Sequence, residues 1–117
     1  MLNHKIALRE YERRGIVFGD EVWCEVCMTH KKNYGVDVSD DLAGTLLEVA
    51  PRYLRGDALE VTKDQIRRGD VVSARDTILE ILECRYHNGI VGEQDTRVVC
   101  VRLGVDPGVL QPPKRIR

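Results

Sequence analysis

Cys24 and Cys27 are separated by two residues, and so are Cys84 and His87. Each pair has the spacing that lets two side chains grip one ion. Together they supply three thiolates and an imidazole, the ligand set of a closed tetrahedral zinc site. Residues 28–83 lie between the pairs, so a shared ion would staple one half of the chain to the other. Closing a loop of that length costs about 3.5 kcal/mol by its logarithmic entropy term, and structural zinc contributes on the order of 10 kcal/mol. Four protein ligands leave no open position for water or substrate, so the Zn2+ expected here is structural, not catalytic.

Simple packing accounts for these four residues less well. At 100° per residue, Val71, Val72, Ala74, Ile78, Leu79, Ile81, Leu82 and Tyr86 fall within one helical arc of about 180°. Cys84 and His87 lie outside that arc, about 60° apart, with Glu80 between them. A helix here does not need them for its main core face, and their i, i+3 relation is what chelation from a helix requires. Arg75 breaks the pattern by lying on the apolar arc. Cys24 and Cys27 would point to opposite faces of a regular strand, whereas a turn brings both sulfurs to one ion. His30 and Cys100 are substitute ligands, with Cys100 better explained as a packed strand residue.

A chain of 117 residues is one domain by length. With one Trp and one Phe, its core must be built from Val, Leu and Ile, and a metal or a partner would help so small a core. The net charge of −1 excludes binding nucleic acid by bulk charge and leaves room for a local basic face. No apolar run approaches the ~20 residues that span a bilayer. Met1–Lys5 leads into a charged stretch and not into a signal-peptide core. A cytoplasmic protein is expected, in which four cysteines mean metal ligands or free thiols.

Local signals predict a single α+β domain over 1–110 and a loose basic tail over 111–117. Residues 3–14 read as a charged helix between an Asn3 cap and Gly15. Ile16–Phe18 and Glu21–Val26, around Gly19-Asp20, read as a short antiparallel hairpin. Ser39-Asp40-Asp41 starts a helix that Pro51 must kink or restart. Thr62-x-x-Gln65 reads as the capping box of a short helix ending at Gly69. A stronger helix follows, from about Asp70 or Ser73 to His87, with Asn88-Gly89 as its stop. Thr96–Val105 reads as a C-terminal strand buried on both faces, ended by Asp106-Pro107-Gly108. The hairpin and this strand would pack on three to four helices.

Trp23-Cys24-Glu25-Val26-Cys27 resembles the Trp-Cys-x-x-Cys active site of thioredoxin-like oxidoreductases. That resemblance would make Cys24 the attacking thiolate and Cys27 the resolving thiol. The motif in that family opens a long amphipathic helix, whereas Met28–Tyr34 is polar and soon reaches Gly35. Arg55-Gly56-Asp57 and Arg68-Gly69-Asp70 read as helix stops followed by caps. Asp76, Glu80 and Glu83 share the long helix and read as a solvated face. No phosphate loop, Ser-His-Asp set or catalytic carboxylate pair is present, so the reading leans away from an enzyme.

Two basic clusters could meet nucleic acid or an acidic protein surface. One is His30-Lys31-Lys32, just after the first cysteine pair, and the other is Lys114, Arg115 and Arg117 after Pro112-Pro113. Aromatic platforms for stacking single strands are sparse. The expectation is a small non-enzymatic regulatory protein with a structural zinc site, contacting nucleic acid through these residues. The alternatives are a protein–protein adaptor or inhibitor working as a homodimer without metal, and a thiol–disulfide oxidoreductase using Cys24 and Cys27.

Overall fold

The computed structural model describes residues 26–27 and 33–114. Four α-helices carry this part of the chain: α1 Leu42–Tyr53, α2 Gly56–Arg67, α3 Val71–His87 and α4 Glu93–Arg102. A single 3-10 turn, Pro107–Val109, follows them. No strand occurs among the described residues, so an all-helical fold replaces the expected α+β class. The helix expected over 3–14 and the hairpin expected over 16–26 lie outside the described residues, except for Val26, which is helical.

The expected C-terminal strand is α4, and its ends explain why. Gly92 caps it in extended conformation, and Glu93 and Asp95 occupy the first turn, where acids oppose the positive end of the helix dipole. Arg97 donates to Glu93 one turn back at 3.0 Å. At the other end Gly104 has φ of 72°, which lets its N–H reach Val101 O and turns Val105 N–H back to Cys100 O. Against these terminal signals, the three β-branched valines cost about 0.5 kcal/mol each in a helix. The same paired closure ends α2 at Gly69 and α3 at Gly89, where the sequence predicted stops.

Two other boundaries differ from expectation. Thr62 and Gln65 lie inside α2, with Thr62 fully buried, so the helix begins a turn and a half before the supposed capping box. Pro51 sits in the last turn of α1, and the helix runs on only to Tyr53 before Leu54 turns extended. A proline so near the C-terminus removes one backbone donor without breaking the body of the helix.

The core is organised by α3. Leu42, Leu46, Val49 and Ala50 of α1, Ala58 and Ile66 of α2, and Val99 and Cys100 of α4 pack around Ala74, Ile78, Leu79, Ile81, Leu82 and Cys84. Helix α3 is therefore enclosed on several sides. That is why its apolar residues fill a broad arc and not a narrow stripe. Its polar residues are enclosed too: Arg75, Thr77, Glu80 and Glu83 are all fully buried. The solvated acidic face expected at Glu80 and Glu83 does not exist. A face that looks polar in sequence is covered here by other parts of the chain.

Candidate functional site

The C-terminal half of α3 gathers the residues that the sequence marks for chemistry. Cys84 is fully buried and His87 is 7% exposed, one turn further along the same helix. Cys27, also fully buried, brings its sulfur to 4.0 Å from the carbonyl oxygen of Glu83. Cys27 of the first pair thus reaches the helix turn that holds the second pair. Cys27, Cys84 and Cys100 are not joined to one another by disulfides. Cys24 lies outside the described residues, as do His30, Lys31, Lys32, Arg115 and Arg117. Among the described residues, no three His, Cys, Asp or Glu side chains stand close enough to hold a metal ion.

His87 is oriented from outside its helix. Its Nδ1 lies 2.6 Å from the carbonyl oxygen of Pro112. A carbonyl only accepts, so Nδ1 carries the proton, and in the neutral ring Nε2 keeps the lone pair that a metal would take. The backbone N–H of Gln111 donates to Glu83 Oε2 at 2.7 Å, and that of Lys114 donates to the His87 carbonyl at 2.9 Å. Residues 111–114, expected as part of a loose tail, lie along the end of α3, with the Lys114 side chain exposed.

Further up the same helix, the buried Arg75 guanidinium donates to the Gly35 carbonyl and, from Nε at 3.1 Å, to Asp76 Oδ1. Burial pushes the Asp76 carboxyl above its usual range, while Arg75 pulls it the other way. Burial raises the neighbouring Tyr34 hydroxyl well above the usual phenol range, with the Glu83 charge adding to it. Cys100 is pushed up to about 11, first by burial and then by Asp106, so it is a poor nucleophile near neutral pH.

A second feature was not foreseen in the sequence. A groove of about 380 Å³ runs between α1 and α4, lined by Arg52, Tyr53, Val91, Asp95, Val98 and Val99. Its floor is braced by Arg85, whose guanidinium stands 5.8 Å from the Tyr53 ring centre and donates to the Tyr53 carbonyl at 3.3 Å. Beside it, Val98 and Val101 are 47% and 66% exposed. Their exposure follows from reading 93–102 as a helix, since Val99 and Cys100 take the inward positions.

No family model matches this chain, and no curated protein or solved structure matches it either. Among the described residues, no helix is long and apolar enough to cross a membrane.

Proposed function

We propose that this chain is a small non-enzymatic binding module with a regulatory role. In it, a structural zinc ion held by Cys24, Cys27, Cys84 and His87 ties the N-terminal part to α3. The observation that carries this reading is the contact of the Cys27 sulfur with the Glu83 carbonyl, which brings one ligand of the first pair to the helix turn of the second. The fixed tautomer of His87 supports it, because metal-bound histidines are commonly held by a second hydrogen bond of this kind. On binding, the Cys27 thiol would lose its proton and leave the carbonyl for the ion. The ion would organise the adjoining basic loop, His30, Lys31 and Lys32, which with Lys114, Arg115 and Arg117 would contact nucleic acid or an acidic protein surface.

The test is elemental mass spectrometry of the purified, reduced protein beside a count of reactive thiols with and without chelator. One zinc per chain, with thiols masked until chelation, supports the reading. Absence of metal, with freely counted thiols, overturns it. The nucleic-acid part is tested separately, by fluorescence anisotropy with a mixed-sequence oligonucleotide. Binding that weakens steeply with salt supports it, and no binding at low salt removes it.

A further inference from the structure

Among the described residues, α4 and its approach leave apolar side chains exposed. Thr96, Val99, Cys100 and the following Leu103 are buried and complete its inward face. Val98 and Val101 stand one turn apart on the outside, 47% and 66% exposed, and Ile90 just before the helix is 55% exposed. Valine is a poor choice for an exposed helix position, at a cost of about 0.5 kcal/mol against Ala. Packing among the described residues therefore does not explain these side chains. Of these, Val98 lines the groove between α1 and α4, together with the half-buried Tyr53 and Val91.

The charges on this groove identify its occupant. It carries Arg52 from α1 and Asp95 from α4, one of each sign, flanking the apolar floor. The two are not paired with each other. Arg52 leans toward Glu48 at 3.9 Å with both side chains largely exposed, and Asp95 has no ion pair among the described residues. A surface with one positive and one negative end on either side of an apolar centre is complementary to itself under a two-fold rotation. Rotation sets each Arg52 opposite the other copy's Asp95 and buries the apolar lining, Val98 included, between the two copies. The net charge of −1 leaves no long-range repulsion between copies.

We infer that this groove is the interface of a symmetric homodimer, closed by two reciprocal Arg52–Asp95 pairs around Val98. The inference does not depend on the zinc reading. An obligate apolar interface would need no charges at its edge. Here the pairs fix register and exclude parallel or slipped arrangements, which is what charge does best at an interface.

The pairing makes an unusual demand that a mixing experiment can read. In an Arg52→Glu homodimer both pairs become acid on acid, and in an Asp95→Arg homodimer both become base on base. Each variant alone should dissociate at least about tenfold more readily than wild type. In a mixed dimer, the acid introduced at position 52 of one copy meets the base introduced at position 95 of the other. The second pair is then the native one, with Asp95 of the first copy facing Arg52 of the second. The equimolar mixture should therefore return to within about threefold of the wild-type dissociation constant, by the same pair energetics. Analytical ultracentrifugation over a concentration series, with one variant fluorescently labelled, measures all three. Val98→Glu is a further variant. Val98 is exposed in the monomer, so at dilutions where both proteins are monomeric this variant should share the wild-type thermal midpoint, while at higher concentration its dimer is lost. Wild-type protein that sediments as a monomer at all concentrations overturns the proposal. So does a mixture that dissociates as readily as the single variants, or a Val98→Glu protein that remains dimeric.

Discussion

Cys27 sets its sulfur 4.0 Å from the carbonyl oxygen of Glu83, 56 positions further along the chain. Eight residues earlier on the same helix, Arg75 holds the carbonyl of Gly35. From the other end of the chain, Gln111 docks on the Glu83 side chain, and Pro112 and Lys114 on His87. Segments that precede α1 and follow α4 thus meet on one buried helix. Long contacts of this kind close large loops, whose entropy must be offset by what the ends gain on meeting. Buried polar groups suit that task, because each is costly to leave without its partner.

If a metal ion shares in that closure, its removal should be felt by the whole domain. Chelation of the purified protein is expected to lower the thermal midpoint by at least about 10 °C, because the ion's contribution, on the order of 10 kcal/mol, exceeds the cost of about 3.5 kcal/mol for the loop it closes. Cys84→Ala should start near the lowered value and respond no further to chelator. Scanning calorimetry of both proteins, with and without chelator, checks this. A wild-type midpoint that chelator leaves in place counts against the stapled arrangement.

Arg75 offers a test that owes nothing to metal. Its guanidinium is fully buried, and among the described residues it alone brings positive charge to the largely buried Asp76. Removing one partner of a buried pair strands the other, so Arg75→Met should cost about 3–5 kcal/mol. Adding Asp76→Leu should recover a large part of that loss, since the stranded carboxyl is then gone. Urea unfolding of wild type, both single variants and the double variant gives the coupling directly. Equal and additive losses would mean that Arg75 acts through Gly35 alone.

How far the sequence foretold this molecule depends on the range of the signal. Local signals were legible: Ser39-Asp40-Asp41 marked the start of α1, and Gly69 and Gly89 marked two helix ends that the structure closes as expected. Helix α3 was read to within a residue or two at each end. The error at 93–102 came from weighing Val98, Val99 and Val101 above Glu93, Asp95 and Gly104, which are the terminal signals that decide the matter. Burial of Glu80 and Glu83 was not legible at all. Periodicity reports which face of a helix is polar, not whether another segment covers it. The Val98–Val101 surface was hidden for a simpler reason, because it appears only once those residues are wound as a helix.

The helical assignment of 93–102 can be probed at its closing glycine. Gly104 has φ of 72°, and an added Cβ would meet nothing within 4 Å, so crowding plays no part. Gly104→Ala isolates the backbone penalty of the left-handed conformation, about 1–2 kcal/mol. A loss of that size in denaturant unfolding, with unchanged helix content by circular dichroism, is the expected result. In an extended strand, alanine would be neutral or favourable at this position, so a stabilised variant would speak against the helix end.

Docking of the C-terminal segment should be measurable by subtraction. A chain ended after Leu110 keeps that buried leucine and loses the Gln111, Pro112 and Lys114 contacts with α3. The bond to the Glu83 carboxylate is charge-assisted and contributes about 1.5–3 kcal/mol, and the other two contribute about 1 kcal/mol each. Because such terms overlap, a total loss of about 2–4 kcal/mol is expected in denaturant unfolding. Lys114→Pro in the full chain removes only the donor to the His87 carbonyl and should cost about 1 kcal/mol. Truncation without effect on stability would make residues 111–114 passengers on the helix.

Cys100 gives the chain a pH dependence whose sign is fixed by its burial. Its thiol is raised from 9.0 to about 11 in the folded protein, so the folded state holds the proton more tightly than the unfolded chain does. The resulting stabilisation is fully present below the ordinary thiol range and is lost as pH rises through the folded value. Between those limits the unfolded chain ionises first, and stability should fall with pH. Cys100→Ala removes that contribution, so its stability should decline less steeply across the same interval than that of wild type. Denaturant unfolding at a series of alkaline pH values compares the two slopes. Native-state alkylation adds a kinetic check, because the thiolate is the reactive form: Cys100 should react slowly at pH near neutrality and accelerate only toward its raised value. Parallel slopes for the two proteins, or fast alkylation of Cys100 at neutral pH, would show that the thiol is not held in the environment described for it.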